Sequence, residues 1–225
     1  MTCPVCAREA PWDQRALGVP CWELAELTPE TEEWLAEVRG FVTLKIPSDS
    51  SKGKPETLGF RYHDTLLIPA CNPDRFKPHD DPRCAVTEDY ELDSLLGIIP
   101  GAFTHDRFHK DPLVSPEAAD LRYSLWLRDL HNEGRLRAFV WEEREVAGFW
   151  GYSAGGAAVL HALAPAFRGK GLAKGFWTAG CRLLFGLGCG EVSSSVSASN
   201  LAVINLYSSL GFSLRKSVDV YHLHR

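Results

Sequence analysis

One segment of this chain combines glycine, positive charge and a break in periodicity in a way suited to holding an anion. It reads Leu160-His-Ala-Leu-Ala-Pro-Ala-Phe-Arg-Gly-Lys-Gly-Leu-Ala. A strand-like run ends near Pro165, and Arg168, Gly169, Lys170, Gly171, Leu172 and Ala173 then open a helix. The first amides of a helix have no partner within it, and the dipole there favours negative charge. Glycines let the backbone turn those amides onto a ligand, while Arg168 and Lys170 add charge. A diphosphate fits such a cradle. The loop is not a P-loop, because Gly-x4-Gly-Lys-Ser/Thr is absent, and G-x-G-x-x-G is unmet. Taken by itself it is equally a surface loop with a basic helix cap.

Two other patterns carry chemistry. Gly151-Tyr-Ser-Ala-Gly is a literal G-x-S-x-G, the nucleophile elbow of an esterase, which would make Ser153 a nucleophile. That motif needs a helix directly after the serine, then an acid and a histidine on separate later strand ends. Here Asp219 lies only three to five residues before His222 and His224, and Pro165 interrupts the helix that would be needed. Cys3 and Cys6 form a CxxC at the extreme terminus, but no second pair completes four zinc ligands. No metal is assigned.

These residues must be positioned by a mixed set of elements. Thr28-Pro-Glu-Thr-Glu-Glu has the cap, early proline and acidic first turn of a helix start. Alternating strands are predicted from Phe41 and from about Leu58, then helices near Glu91 and from Ser115 to Gly134. From Leu136 three strands follow, turning at Glu143-Arg144 and Gly155-Gly156, then a helix at about 173–188, a strand at 191–197, a helix at about 201–209 and terminal strands through His224. This is an α+β pattern around a mixed sheet. Residues 71–90 are rich in Pro and Asp, so the chain divides into a small N-terminal α/β domain (1–75), a linker (76–92) and a main domain (93–225). A weak echo links 41–69 with 192–221, each holding a Leu-Gly-Phe before a strand. The first part thus reads as a truncated copy of the second.

Bulk properties exclude several classes. The chain has 225 residues, 45% of them hydrophobic, and a formal net charge of −5, which argues against nucleic acid as a partner. No run approaches the ~20 apolar residues needed to span a bilayer, so no membrane role is expected. Seven cysteines, an odd number, without an export signal suggest reduced thiols and a cytoplasmic location.

The cradle does not stand alone. Arg168, Gly171 and Ala173 occupy the Arg/Gln-x-x-Gly-x-Gly/Ala signature of the GNAT acyl-CoA N-acyltransferases, and the stretch from Asn200 through Tyr207 to Gly211-Phe212 resembles that family's Asn-x6-Tyr-x3-Gly-Phe. The resemblance covers about 136–225. It implies the GNAT fold, in which the fourth and fifth strands splay and acetyl-CoA, the co-substrate, lies between them. Ala162 and Leu163 would then meet the pantetheine, Gly169 to Ala173 the diphosphate, and Asn200 and Asn205 the pantetheine or sugar–phosphate end. Tyr207 would protonate the departing thiolate, and His161 is a candidate base.

Looser matches extend over most of the chain. Pro11-Trp-Asp-Gln-Arg, Phe103-x3-Arg-Phe-His-Lys-Asp-Pro and Tyr123-x2-Trp126 resemble the TDP-fucosamine acetyltransferases, which carry a small N-terminal domain. The acceptor implied is the amine of a nucleotide-linked 4-amino sugar, met by Phe103, Arg107, His109 and Tyr123. Homodimerisation is left open. The readings to separate from this one are the Ser153 esterase and a non-catalytic acyl-CoA-binding module.

Overall fold

The computed structural model describes residues 4–225. Strand β1 (Ala7–Glu9), helix α1 (Pro11–Leu17), strand β2 (Cys21–Leu24), helix α2 (Pro29–Glu37), strand β3 (Phe41–Pro47), helix α3 (Gly53–Thr57) and strand β4 (Arg61–Cys71) come first. Then follow β5 (Cys84–Thr87), α4 (Leu92–Leu96), α5 (Pro116–Asn132), β6 (Leu136–Trp141), β7 (Glu145–Tyr152) and β8 (Ala157–Leu163). The chain ends with α6 (Ala173–Gly186), β9 (Val192–Ser194), β10 (Val196–Ser197), α7 (Leu201–Ser209) and β11 (Ser213–His224). All strands join one mixed sheet in the order β1-β2-β3-β11-β4-β9-β8-β7-β6-β5, with β10 paired to β4. No helix among the described residues is long and apolar enough to cross a membrane.

Local sequence explains the elements that matter most. Thr28 caps α2 through a box with Thr31, satisfying amides that a helix start leaves free. The Ser115 hydroxyl accepts from the Ala118 amide to start α5, which buries Tyr123, Leu127 and Leu130 on one face. α6 is apolar along most of its length, and Gly180 lets it approach the sheet. A Cβ there would lie 2.7 Å from the Trp150 ring.

The echo between the two halves proves far more extensive than a shared tripeptide. Strand β3, helix α3, Leu58-Gly59-Phe60 and β4 follow the same plan as β9, α7, Leu210-Gly211-Phe212 and β11. Gly59 and Gly211 share a left-handed φ, +91° and +90°, where a side chain would be strained. Sheet order continues the symmetry. β11 pairs with β3 and β4 with β9, both antiparallel, while β2·β3 and β8·β9 are both parallel. Each half thus inserts its long strand beside the first strand of the other.

The segment 76–92 is not bare connection. Cys84–Thr87 pair with Ala138–Trp141 as the sheet edge, and the His79 amide donates to Thr178 Oγ1 on α6 at 2.9 Å. A four-residue strand among prolines is too short to show a period, and β1, β2 and α1 escape sequence reading for the same reason.

Candidate active site

The sheet opens at one place. β8 pairs with β9 only through Ala157↔Ser193 and Ala158↔Ser194. Beyond that point β8 keeps its partner β7, with His161↔Trp150 and Leu163↔Gly148, but among the described residues it has no paired strand on its other side. β9 stops at Ser194, and the chain leaves after Ser195 to pair with β4 as β10. The strands therefore diverge, and a cleft of about 650 Å³ occupies the gap, its walls including Val159–Leu163, Ser195–Ser197 and Tyr207. Unpaired strand edges call for hydrogen-bonding partners, and an extended ligand with its own amides supplies them. The equivalent strands of the N-terminal half do not part: Cys21–Leu24 pair residue for residue with Phe41–Leu44. Of the two halves, one has the gap.

The glycine loop lies at one end of this cleft. Gly169 and Gly171 have φ of +72° and +77°, and a Cβ at either would meet nothing within 4 Å. Their requirement is conformational rather than steric. Leu172, the N-cap of α6, makes no side-chain cap bond, so the first amides of that helix stay open to an anion. The Arg168 Nε donates to the Leu163 carbonyl at 2.8 Å, fixing the loop to the end of β8. Arg168, Gly169 and Ala173 line the cleft; between them, Lys170 and Gly171 are exposed and Leu172 packs against the core. Ala162 and Leu163 also line it. Asn200 does so as well, although its Oδ1 is engaged in capping α7 through the Val203 amide. Asn205 is exposed on α7, away from the cleft wall.

At the apex of the gap four groups form a directed chain. Ser194 Oγ donates its only hydrogen to the Ala158 carbonyl at 2.9 Å. It must therefore accept from Tyr207, whose hydroxyl lies 3.0 Å away. With the tyrosine hydrogen so used, the contact between His161 Nε2 and Tyr207 Oη at 3.2 Å has His161 as donor. The imidazole is then the Nε2–H tautomer, and its Nδ1 makes no hydrogen bond among the described residues. Burial lowers the His161 pKa to about 4, keeping it neutral near pH 7. Burial pushes the Tyr207 hydroxyl above its ordinary range despite the bond to Ser194, so it keeps its proton. The structure turns the candidate base His161 onto Tyr207.

The other end of the cleft is aromatic and cationic. Phe103 stacks on Tyr123 with centroids 4.1 Å apart, and both line the wall. Arg107 is buried, 7% exposed. One terminal nitrogen donates to Thr43 Oγ1 at 2.7 Å and to His222 Nε2 at 3.3 Å. His222 passes its Nδ1 hydrogen to Asp111 Oδ2 at 2.7 Å, and His224 also contacts that oxygen at 2.8 Å. His109 is turned away from the cleft, onto Asp106 and Asp120. Sequence reading missed Arg122, Lys45 and Asp64, which share this wall. Asp64 is 3% exposed. Its Oδ1 receives Lys110, Ser197 and the Thr65 amide, while its Oδ2 has no partner.

The sequence pattern of the Acetyltransferase (GNAT) family matches residues 74–212. The chain belongs to that family. Similar folds include a GCN5-related N-acetyltransferase from Sphaerobacter thermophilus, 15% identical with a TM-score of 0.65, over 96% of this chain and 75% of that one. A GNAT-family protein from Novosphingobium aromaticivorans is 18% identical with a TM-score of 0.58, over 100% and 90%. A glucosamine N-acetyltransferase region of a fungal multi-domain β-N-acetylglucosaminidase is 12% identical with a TM-score of 0.57, over 91% of this chain and 30% of that one. At these identities the likeness is one of fold. No curated protein sequence is similar enough to count as a match. GNAT enzymes move an acetyl group from acetyl-CoA to an amine, so this chain is an acyltransferase that takes an acceptor molecule.

Within a GNAT enzyme, G-x-S-x-G has an ordinary explanation. Ser153 opens the turn between β7 and β8: its amide donates to the Ala157 carbonyl at 2.8 Å and its Oγ accepts from the Ala157 amide at 3.1 Å. No helix follows, as an elbow requires. Ser153→Ala should leave thiol release from acetyl-CoA within about twofold of wild type, whereas a covalent nucleophile would lose several orders of magnitude. Cys3 lies outside the described residues, so the Cys3–Cys6 pair has no structural description; Cys6 is a free thiol.

His63, Asp111 and His222 converge closely enough to suggest a cation. Ligation through His222 Nδ1 would require a proton on Nε2, facing the N–H of Arg107. In the structure the His222 Nδ1 hydrogen is directed to Asp111 Oδ2 at 2.7 Å. Burial lowers the His222 pKa to about 3. Burial raises Asp111, but hydrogen bonds from His222 and His224 outweigh it and hold the carboxyl well below its ordinary range. The neutral imidazole thus joins a buried carboxylate to Arg107 and fixes the guanidinium at the cleft wall.

Proposed function

We propose that the chain acetylates the amine of a nucleotide-linked 4-amino sugar, with Tyr207 as general acid and His161 as proton acceptor. The observation that carries the catalytic assignment is the hydrogen-bond chain from His161 through Tyr207 to Ser194, at the apex of the gap between β8 and β9. The loop at Arg168–Ala173 fits the diphosphate of acetyl-CoA, and the unpaired edge of β8 at Ala162 and Leu163 fits its pantetheine amides. Lys170, Gly171 and Leu172 shape the turn and keep its backbone amides beside that diphosphate. Asn200 offers its side-chain Nδ2, since its oxygen is used. Asn205, exposed on α7, has the weakest claim to a contact.

The chemistry follows from the tautomer. The acceptor amine forms a bond to the acetyl carbon, and the bond from that carbon to sulfur breaks. The Tyr207 hydrogen swings from Ser194 to the leaving sulfur, and His161 Nε2–H replaces it. His161 Nδ1, free of protein partners, takes the proton released by the amine, directly or through one water. One proton has then moved from nitrogen to sulfur, and the imidazole is restored by exchange with solvent. A neutral histidine suits this role because both of its nitrogens take part.

The acceptor reading draws on the resemblance at Phe103–Pro112 and Tyr123–Trp126, and on the stacked Phe103 and Tyr123 beside a buried arginine. The fungal relative that acts on glucosamine belongs to the same fold and is consistent with a sugar amine. Thiol release with dTDP-4-amino-4,6-dideoxygalactose, spermidine and a lysine peptide tests it. A kcat/KM at least ~10²-fold higher for the nucleotide sugar is expected, the scale of several specific polar contacts. Preference for the polyamine or peptide would remove this acceptor class.

A further inference from the structure

We infer that Arg107 and Arg122 form an anion subsite for the acceptor's diphosphate, sending its nucleoside end into a second groove. The inference rests on the nucleotide-sugar reading above and assigns its parts to residues.

Both guanidinium groups are held in place, Arg107 buried and Arg122 with 11% of its side chain exposed. Their central carbons lie 4.2 Å and 4.4 Å from the Phe108 ring centroid. Asp13, 1% exposed, sits between them: it accepts from Arg122 Nε and lies 3.7 Å from a terminal nitrogen of Arg107. One carboxylate thus serves two cations. Arg107 is further fixed by Thr43 and His222. Arg122 spends only its Nε, so both of its terminal nitrogens make no hydrogen bond with the described protein, and neither is a buried orphan. They open on solvent space, and Arg122 lines the cleft.

The neighbouring acids do not claim those donors. Asp106 is turned onto His109 and the amides of Phe108 and His109. Asp64 is occupied by Lys110 and Ser197, and Lys45 is paired with Glu23 at 2.6 Å. Free guanidinium donors in a planar fork match phosphate oxygens bidentately. Because both side chains are already ordered, little freedom is lost on binding.

Position gives the ligand its direction. A second groove of about 300 Å³ shares Arg122, Trp126 and Val159 with the main cleft and continues to Trp12 and Arg15. Arg122 therefore stands at the junction. A molecule with its amine toward Tyr207 and a diphosphate at Arg122 has its remaining end directed to the two tryptophans, whose flat faces suit a base.

The test is calorimetric titration of dTDP into the full chain saturated with CoA, so that the glycine loop cannot take the added diphosphate. Wild type should bind dTDP, inorganic pyrophosphate should displace it, and thymidine alone should bind far more weakly. Arg122→Met should weaken dTDP about 10-fold to 100-fold, the worth of a charge-assisted contact, with CoA affinity unchanged as evidence of folding. Arg122→Lys, which keeps the charge without the fork, should fall between. Failure of CoA-saturated wild type to bind dTDP would overturn the subsite, as would thymidine binding as tightly as dTDP. A folded Arg122→Met with wild-type affinity would do the same. None of these results touches acetyl transfer itself, which is read by amine-dependent thiol release.

Discussion

Replacing Tyr207 with phenylalanine should lower kcat and kcat/KM together by ~10²-fold or more, the usual scale for a lost general acid. The ring would stay where it is. It packs edge-on against Trp177 with centroids 4.6 Å apart and beside Phe212 at 5.4 Å, and those contacts do not involve the hydroxyl. Ser194 would keep its bond to the Ala158 carbonyl. The variant loses only the donor to Ser194 and the acceptor of His161, at about 1 kcal/mol of stability per hydrogen bond. Acetyl-CoA affinity by calorimetry should therefore barely change. An interaction made only as the thiolate leaves acts on turnover and not on ground-state binding, and this pattern separates it from a binding role. Turnover equal to wild type would pass the proton to water or substrate. A folded variant that lost acetyl-CoA affinity would make Tyr207 a binding residue.

A glutamate at Gly171 should abolish measurable acetyl-CoA binding while leaving the sheet folded. Two effects add. The left-handed φ of +77° strains any ordinary side chain by roughly 1–2 kcal/mol. A carboxylate ~5 Å from one phosphate charge costs about 3 kcal/mol more at the effective dielectric of a protein surface. Together they amount to about 10³-fold in Kd. Gly171→Lys shares the backbone strain but reverses the charge, and Gly171→Asn is tolerated at positive φ. Both should keep far more affinity than the glutamate. Equal losses in all three would make the position one of loop geometry, with no phosphate beside it. Normal binding by folded Gly171→Glu would remove the loop from the coenzyme site.

The contrast between the two ends of the cleft shows what sequence can carry. The cradle and Tyr207 are local: Gly169 and Gly171 are needed for a backbone angle, and Tyr207 stands a fixed distance along α7 from Asn200. Such requirements survive as spacing. The acceptor wall is assembled from distant pieces. Arg107 meets Thr43 on β3, His222 on β11 and Asp13 on α1, so its burial depends on strands from both halves of the chain. The local motif at Phe103–Pro112 marks Arg107 as a candidate contact but not as a buried one. His109, two residues on, has a similar local setting and is turned onto Asp106 and Asp120. The doubled architecture was legible only as a repeated Leu-Gly-Phe, because side chains diverge while strand order and the positive φ of Gly59 and Gly211 persist. His161 was legible as a candidate base, but its bond to Tyr207 was not, since alternation along a strand gives a face but not a partner.

Acetyl transfer in this cleft is tested by stoichiometry, following free thiol and acceptor mass together when the protein meets acetyl-CoA and dTDP-4-amino-4,6-dideoxygalactose. Thiol release should require both the protein and the amine, matched one for one by acceptor carrying a single N-acetyl group. Thiol release at the same rate without any amine, or acetyl-CoA bound with no acetylated product, would rule out transfer to this amine.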